Sequence, residues 1–122
     1  MPPDWFVSGS DLAEYATDER CYITELLNDP ASPEVSLAIA RVRPGTTTQL
    51  HRLIGTAERF LILSGKGMAE VDGISWPVGS GDQIVMQAGA HQRISNTEQS
   101  DLVFLCICTP RFVAGAYDRL GD

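Results

Sequence analysis

Residues 45 to 67 read GTTTQLHRLIGTAERFLILSGKG. Two features of this stretch decide what kind of protein the chain forms. Glycine closes it at either end, and its middle alternates between one chemical character and another in steps of two. Successive side chains on a strand point to opposite faces. His51 and Leu53 therefore share one face, and Glu58, Phe60 and Ile62 share another. An imidazole and a carboxylate on otherwise apolar faces have no business in a plain core unless something satisfies them.

Residues 79 to 96, GSGDQIVMQAGAHQRISN, repeat the pattern: Gln92, Ile94 and Asn96 fall on a common face behind another glycine-rich turn. Further outward, short runs rich in Val, Ile, Leu and Phe are interrupted every eight to twelve residues by Gly, Pro, Asn or Asp. That rhythm is the signature of strands joined by tight turns. It predicts strands over Cys21–Leu27, Ser36–Val42, Gln49–Leu53, Glu58–Ser64, Gly67–Val71, Ile74–Val78, Gln83–Met86, His91–Asn96 and Leu102–Cys108. Asp72-Gly73, between two apolar runs, is a hairpin signal because both turn positions tolerate positive φ. The fold class is all-β, a closed barrel or sandwich.

The ends read differently. Ser8, Ser10 and Asp11 are able to cap a helix and are followed by Leu12 and Tyr15 at helical spacing, which predicts a short N-terminal helix. Pro110 ends the last strand, and the segment from Val113 to Asp122 is expected to form a short terminal helix. A chain of 122 residues, 43% of them hydrophobic, buries one core, so a single domain spans 1–122. Its barrel core covers about 36–109, an N-terminal strand and helix about 8–35, and a tail 110–122.

Composition narrows the partners. Nine basic residues against sixteen acidic ones give a net charge of −7, with no basic stripe to follow a phosphate backbone, which argues against nucleic acid. No apolar run approaches a membrane span and no secretory layout opens the chain, so a cytoplasmic location is expected. Cys21, Cys106 and Cys108 read as small packed residues rather than a disulfide framework.

The spacings resemble those of cupins. The first cupin motif, G(X)5HXH(X)3-4E(X)6G, is matched in spacing by Gly45, His51, Leu53, Glu58 and Gly65; the second, G(X)5PXG(X)2H(X)3N, by Gly81, Gln87, Gly89, Gln92 and Asn96. The resemblance implies a double-stranded β-helix, a jelly-roll-like barrel with short terminal helices. It also implies a divalent metal, Fe, Mn, Ni or Zn, held by His51 and Glu58 with Gln92 as a third ligand. Leu53 and Gln92 stand where the motifs carry histidines, and His91, next to Gln92, is expected on the outer rim.

His51 and Glu58 are accordingly the candidate catalytic residues, and Leu53, Phe60, Gln92, Cys106 and Cys108 the candidate pocket wall. Arg52, Arg59 and Arg93 run out of phase with them and form an exterior set, unless Arg52 or Arg93 reaches the mouth to hold an anion. Three functions fit: a metal-dependent oxygenase, isomerase or decarboxylase; a metal-free sugar-phosphate isomerase or epimerase using His51 and Glu58 as acid and base; and a non-catalytic metabolite-binding module. Cupins of this size resemble one another in pairing through N-terminal strands, so a homodimer is expected as well.

Overall fold

The computed structural model describes all 122 residues. Eleven strands follow in order: β1 (Glu14–Ala16), β2 (Tyr22–Leu27), β3 (Ser36–Val42), β4 (His51–Leu53), β5 (Ala57–Ser64), β6 (Lys66–Val71), β7 (Ile74–Gly79), β8 (Gln83–Met86), β9 (Gln92–Ser95), β10 (Leu102–Thr109) and β11 (Tyr117–Arg119). They form a six-stranded sheet, β1-β2-β3-β10-β5-β8, and a five-stranded sheet, β11-β4-β9-β6-β7. Every pairing is antiparallel.

The turns hold the register. Asp72 and Gly73 both take positive φ, 50° and 82°, which matches the twist of a two-residue hairpin between β6 and β7. Gly65 has φ 88°, and a Cβ there would stand 2.6 Å from the Asp101 carbonyl oxygen, so the motif's last glycine is needed for backbone approach.

The core lies where the inner faces meet. Ile62, Met86, Leu102 and Phe104 come from the larger sheet, and Ala69, Val78 and Ile94 from the smaller. Period-two burial is visible within single strands: on β10, Leu102, Phe104 and Cys108 are buried while Val103 and Leu105 are half-buried.

Both expected terminal helices are absent. At the N-terminus only a single 3-10 turn, Gly9–Asp11, forms before Glu14–Ala16 joins β2 as an edge strand. At the C-terminus a 3-10 turn at Ala114–Ala116 leads into β11, which pairs Tyr117 with Leu53 and Arg119 with His51. Segments this short gain little from helical hydrogen bonds, whereas an open sheet edge offers ready-made partners. Smaller corrections apply at strand ends: Gln49 and Leu50 precede β4, and His91 lies in the loop before β9. No helix is long and apolar enough to cross a membrane.

Candidate functional site

His51 and Gln92 face each other across the β4–β9 pairing as direct Cα partners. Glu58 sits on β5 of the other sheet, paired in register with Cys108 of β10. All three side chains are buried, at 7%, 3% and 9% exposure, and all line one cavity of about 340 Å³ between the sheets. The expected pocket residues Leu53, Phe60, Cys106 and Cys108 line it too. The period of two carries them there: Phe60 pairs with Cys106 one step along from Glu58 and Cys108.

The imidazole is fixed on both sides. His51 Nδ1 lies 2.8 Å from the Gln49 carbonyl oxygen, which only accepts, so the Nδ1–H donates and Nε2 is the ring nitrogen left without a partner in the protein. Its ring stacks on Tyr117, centroids 4.6 Å apart and planes 16° from parallel. Glu19 approaches Nδ1 to 3.8 Å.

Burial dominates the chemistry of Glu58. It pushes the carboxyl up to about 7, against the opposing pull of hydrogen bonds from Gln92 and Cys108, while the nearby Glu19 charge adds to the rise. Cys108 Sγ donates to Glu58 Oε2 at 3.6 Å. Gln92 Oε1, itself fully buried, has no hydrogen-bond partner. It is the sole buried side-chain nitrogen or oxygen in the protein left so.

Burial keeps the thiols protonated. Desolvation first, then the Glu58 charge, raises Cys106 well above the usual thiol range and Cys108 to about 12; burial likewise raises Cys21. All three cysteines are free.

Arg52 and Arg93 are engaged with carboxylates. Arg52 Nε donates to Asp118 at 2.6 Å and Arg93 Nη2 to Glu70 at 3.1 Å. Arg59 is exposed on β5, and His91 is exposed in its loop with its backbone N–H held by Asp72 at 2.9 Å.

Two residues of the site were not visible in the motifs. Tyr117 of β11 stacks on His51, and its hydroxyl is raised by burial and by Glu19, to which it donates. With the Gln49 amide turned so that its oxygen accepts from Arg119 Nε at 2.5 Å, its nitrogen donates to Tyr117 Oη at 2.8 Å. Glu19 precedes β2 and also accepts from Cys21 Sγ at 3.2 Å. The one sequence signal for Tyr117 was an aromatic residue in the tail, and a tail aromatic has no fixed spacing to the motifs.

The model for the cupin domain matches residues 38–108, well over half of the chain. This chain belongs to the cupin family. An oxalate-binding protein of Thermotoga maritima is 31% identical over 87 residues, 70% of this cupin and 72% of that protein. An uncharacterised protein of Methanocaldococcus jannaschii is 32% identical over 103 residues, 83% of this chain and 82% of the other. A crystal structure from T. maritima, described as a predicted oxalate decarboxylase, superposes with a TM-score of 0.77 at 26% identity, covering 86% of this cupin and 98% of that chain.

Donor chemistry decides whether this cupin's site suits the divalent metal that the family resemblance implies. The available donors are His51 Nε2, Glu58 and the neutral amide oxygen of Gln92, with Leu53 closing the fourth position by an alkyl group. No three His, Cys, Asp or Glu side chains are grouped to hold a metal ion. Glu58 keeps its proton up to about pH 7, and a metal must displace it. This donor set does not fit a resident metal.

Proposed function

We propose that this cupin binds a small molecule in the barrel interior, with the ligand's polar end against His51, Glu58 and Gln92 and its body against Leu53, Phe60 and Phe104. The observation that carries the proposal is a cavity of about 340 Å³ between the sheets whose largely apolar wall includes three buried polar side chains, His51, Glu58 and Gln92. The volume is at the lower end of the range for small-molecule sites. The oxalate-binding relative supports a binding role for the family without fixing the ligand here.

A second role rests on Glu58. A carboxyl near 7 in the same cavity as an imidazole whose Nε2 makes no hydrogen bond is matched to proton transfer at neutral pH, as in a metal-free isomerase or epimerase. In that case Glu58 holds the proton, His51 Nε2 receives one, and the stacked Tyr117 keeps the ring in place. Cys106 and Cys108 serve as wall. A cytoplasmic setting suits three free thiols.

The Ala38→Phe variant tests the binding site. Ala38 lines the cavity and pairs with Cys106, so a phenyl ring there fills the space. Ligands found by thermal shift on the native protein are expected to lose binding to the variant at least tenfold. Undiminished binding would place the ligand elsewhere and refute the proposal.

The homodimer is proposed through the N-terminal strands, of which β1 lies at the edge of its sheet, with Trp5, Phe6 and Val7 exposed in the segment before it. Light scattering is expected to give twice 13.3 kDa; the monomer mass would exclude it.

A further inference from the structure

Resting on the binding role proposed above, the shape of the cavity and the makeup of its walls point to the class of molecule it takes. The floor is the inner face of the larger sheet, where Ser36, Ala38 and Ala40 of β3 lie in register with Cys108, Cys106 and Phe104 of β10. Further along the same two strands Val42 pairs with Leu102, both at 0% exposure, and there the gap between the sheets is full. Facing sheets stand about 10 Å apart. Branched side chains on both strands fill that distance, whereas a methyl beside a thiol, at Ala38 and Cys106, leaves a slot. Its roof comes from the smaller sheet: the His51 and Tyr117 rings, stacked with centroids 4.6 Å apart, beside Leu53 and Ile94.

Aromatic groups also bound the slot at its ends. Phe60 and Phe104, 4.4 Å apart between centroids and tilted by 40°, stand next to the packed core. Phe112 stands at the other end, its N–H donating to Ser36 Oγ at 2.9 Å and its carbonyl oxygen accepting from Asn28 Nδ2 at 2.9 Å. Aromatic rings favour offset-stacked and edge-to-face contact with one another, so a flat ring entering here meets matching surfaces. A cavity of about 150 Å³ holds one benzene ring, and about 340 Å³ has room for two fused rings with a polar substituent. Charged and sugar-like guests fare worse. Arg93 is the only Arg or Lys side chain in the wall, and its Nε and Nη2 both donate to Glu70 Oε1 at 3.1 Å. A phosphate or carboxylate inside finds no free cation, and burying a charge without a partner is strongly unfavourable. A sugar would set hydroxyls against the alanines, thiols and phenyl rings, where they lose water without gaining partners.

We infer that the cavity takes a neutral, planar aromatic molecule of one or two rings, slotted between the Ala38 and Cys106 floor and the His51–Tyr117 pair, and rejects sugar phosphates and small carboxylates such as oxalate. The inference separates this cupin from what the name of its oxalate-binding relative would imply.

Isothermal titration on the full-length protein at pH 7.5 tests it, with 2-naphthol, its saturated analogue decahydro-2-naphthol, glucose 6-phosphate and oxalate as probes. 2-Naphthol is expected to bind at least tenfold more tightly than the saturated alcohol, with no heat from glucose 6-phosphate or oxalate. Ala38→Phe, which fills the slot, is expected to lose 2-naphthol binding at least tenfold while keeping a cooperative melt. Independently of that variant, nuclear Overhauser contacts from the naphthol protons to the Ala38 and Ala40 methyls are expected in the native protein, and a bound complex without them would overturn the slot. Equal binding of the saturated alcohol, or glucose 6-phosphate or oxalate binding that Ala38→Phe abolishes, would overturn the aromatic assignment while leaving the binding site standing. No binding of 2-naphthol at millimolar concentration would overturn that assignment too. 2-Naphthol binding undiminished in folded Ala38→Phe would overturn both.

Discussion

The interior of this cupin has two parts built from the same strands and the same alternation. In one, Val42, Ile62, Met86, Ile94 and Leu102 are at most 2% exposed and fill the space between the sheets. In the other, His51, Glu58 and Gln92 occupy equivalent inward positions and the space is not filled. On β5 the two parts are four residues apart, Glu58 and Ile62 on one inner face. On β9 they are two apart, Gln92 and Ile94. What differs is whether each side chain finds a partner inside the protein. The packed part is satisfied by contact alone. The open part keeps a carboxyl raised to about 7 by burial and an amide oxygen without a partner, so it gives up stability that the packed part retains.

The comparison predicts different outcomes for substitutions in the two parts. The largest effect belongs to the packed one. Ile62→Ala is expected to cost about 2–5 kcal/mol, read as a lower midpoint in urea unfolding, because the close-packed surroundings relax only partly around the lost atoms. A cost under about 1 kcal/mol would mean that this part is as loosely filled as the other.

The next largest effect is the pH dependence of Glu58. Its folded carboxyl titrates near 7 and an unfolded one near 4.5, so between these values the native state holds the extra proton. Stability is therefore fullest below about pH 4.5 as far as this group is concerned, falls as pH rises, and levels off above 7. The loss amounts to roughly 3 kcal/mol at about 1.4 kcal/mol for each pH unit of difference. Urea unfolding from pH 5 to pH 8 reads it. Glu58→Gln should remove most of that slope and be the more stable protein at pH 8. An equal slope in the variant would show that Glu58 does not titrate as the open part requires.

The smallest effect is the sharpest contrast. Gln92 is as deeply buried as Ile94, yet Gln92→Leu at pH 5, where Glu58 keeps its proton, is expected to shift stability by no more than about 1 kcal/mol. Removing an unsatisfied acceptor offsets the loss of one hydrogen bond. A loss comparable to Ile62→Ala would place Gln92 among the structural residues.

Most of the barrel was legible because side-chain period and turn chemistry are local. Glycine at positions 65 and 73, the Asp72-Gly73 hairpin and the alternation of Glu58, Phe60 and Ile62 act within a few residues of chain. The same locality explains the failures at the ends. Ser8 does cap a turn, accepting from the Ser10 N–H at 3.3 Å, but a turn is all that forms. Tyr15 and Tyr117 joined strands because unpaired sheet edges lay within reach, and no local pattern announces an edge. The site followed suit. The motif spacing carried His51, Glu58, Leu53, Phe60 and Gln92 to one cavity, while Glu19 and Tyr117 came to the imidazole from outside both motifs.

The sequence by itself determined the strands, the turns and which side chains face inward, since these depend on backbone geometry and period. Only the tertiary structure decided which inward polar groups would be satisfied. Hydrogen-bond partners across strands, the exclusion of water around Glu58 and the engagement of Arg93 by Glu70 arise from residues far apart in the chain. That accounting leaves Glu58 raised to about 7 by burial and Gln92 Oε1 without a partner, neither of which the local pattern of the chain announces.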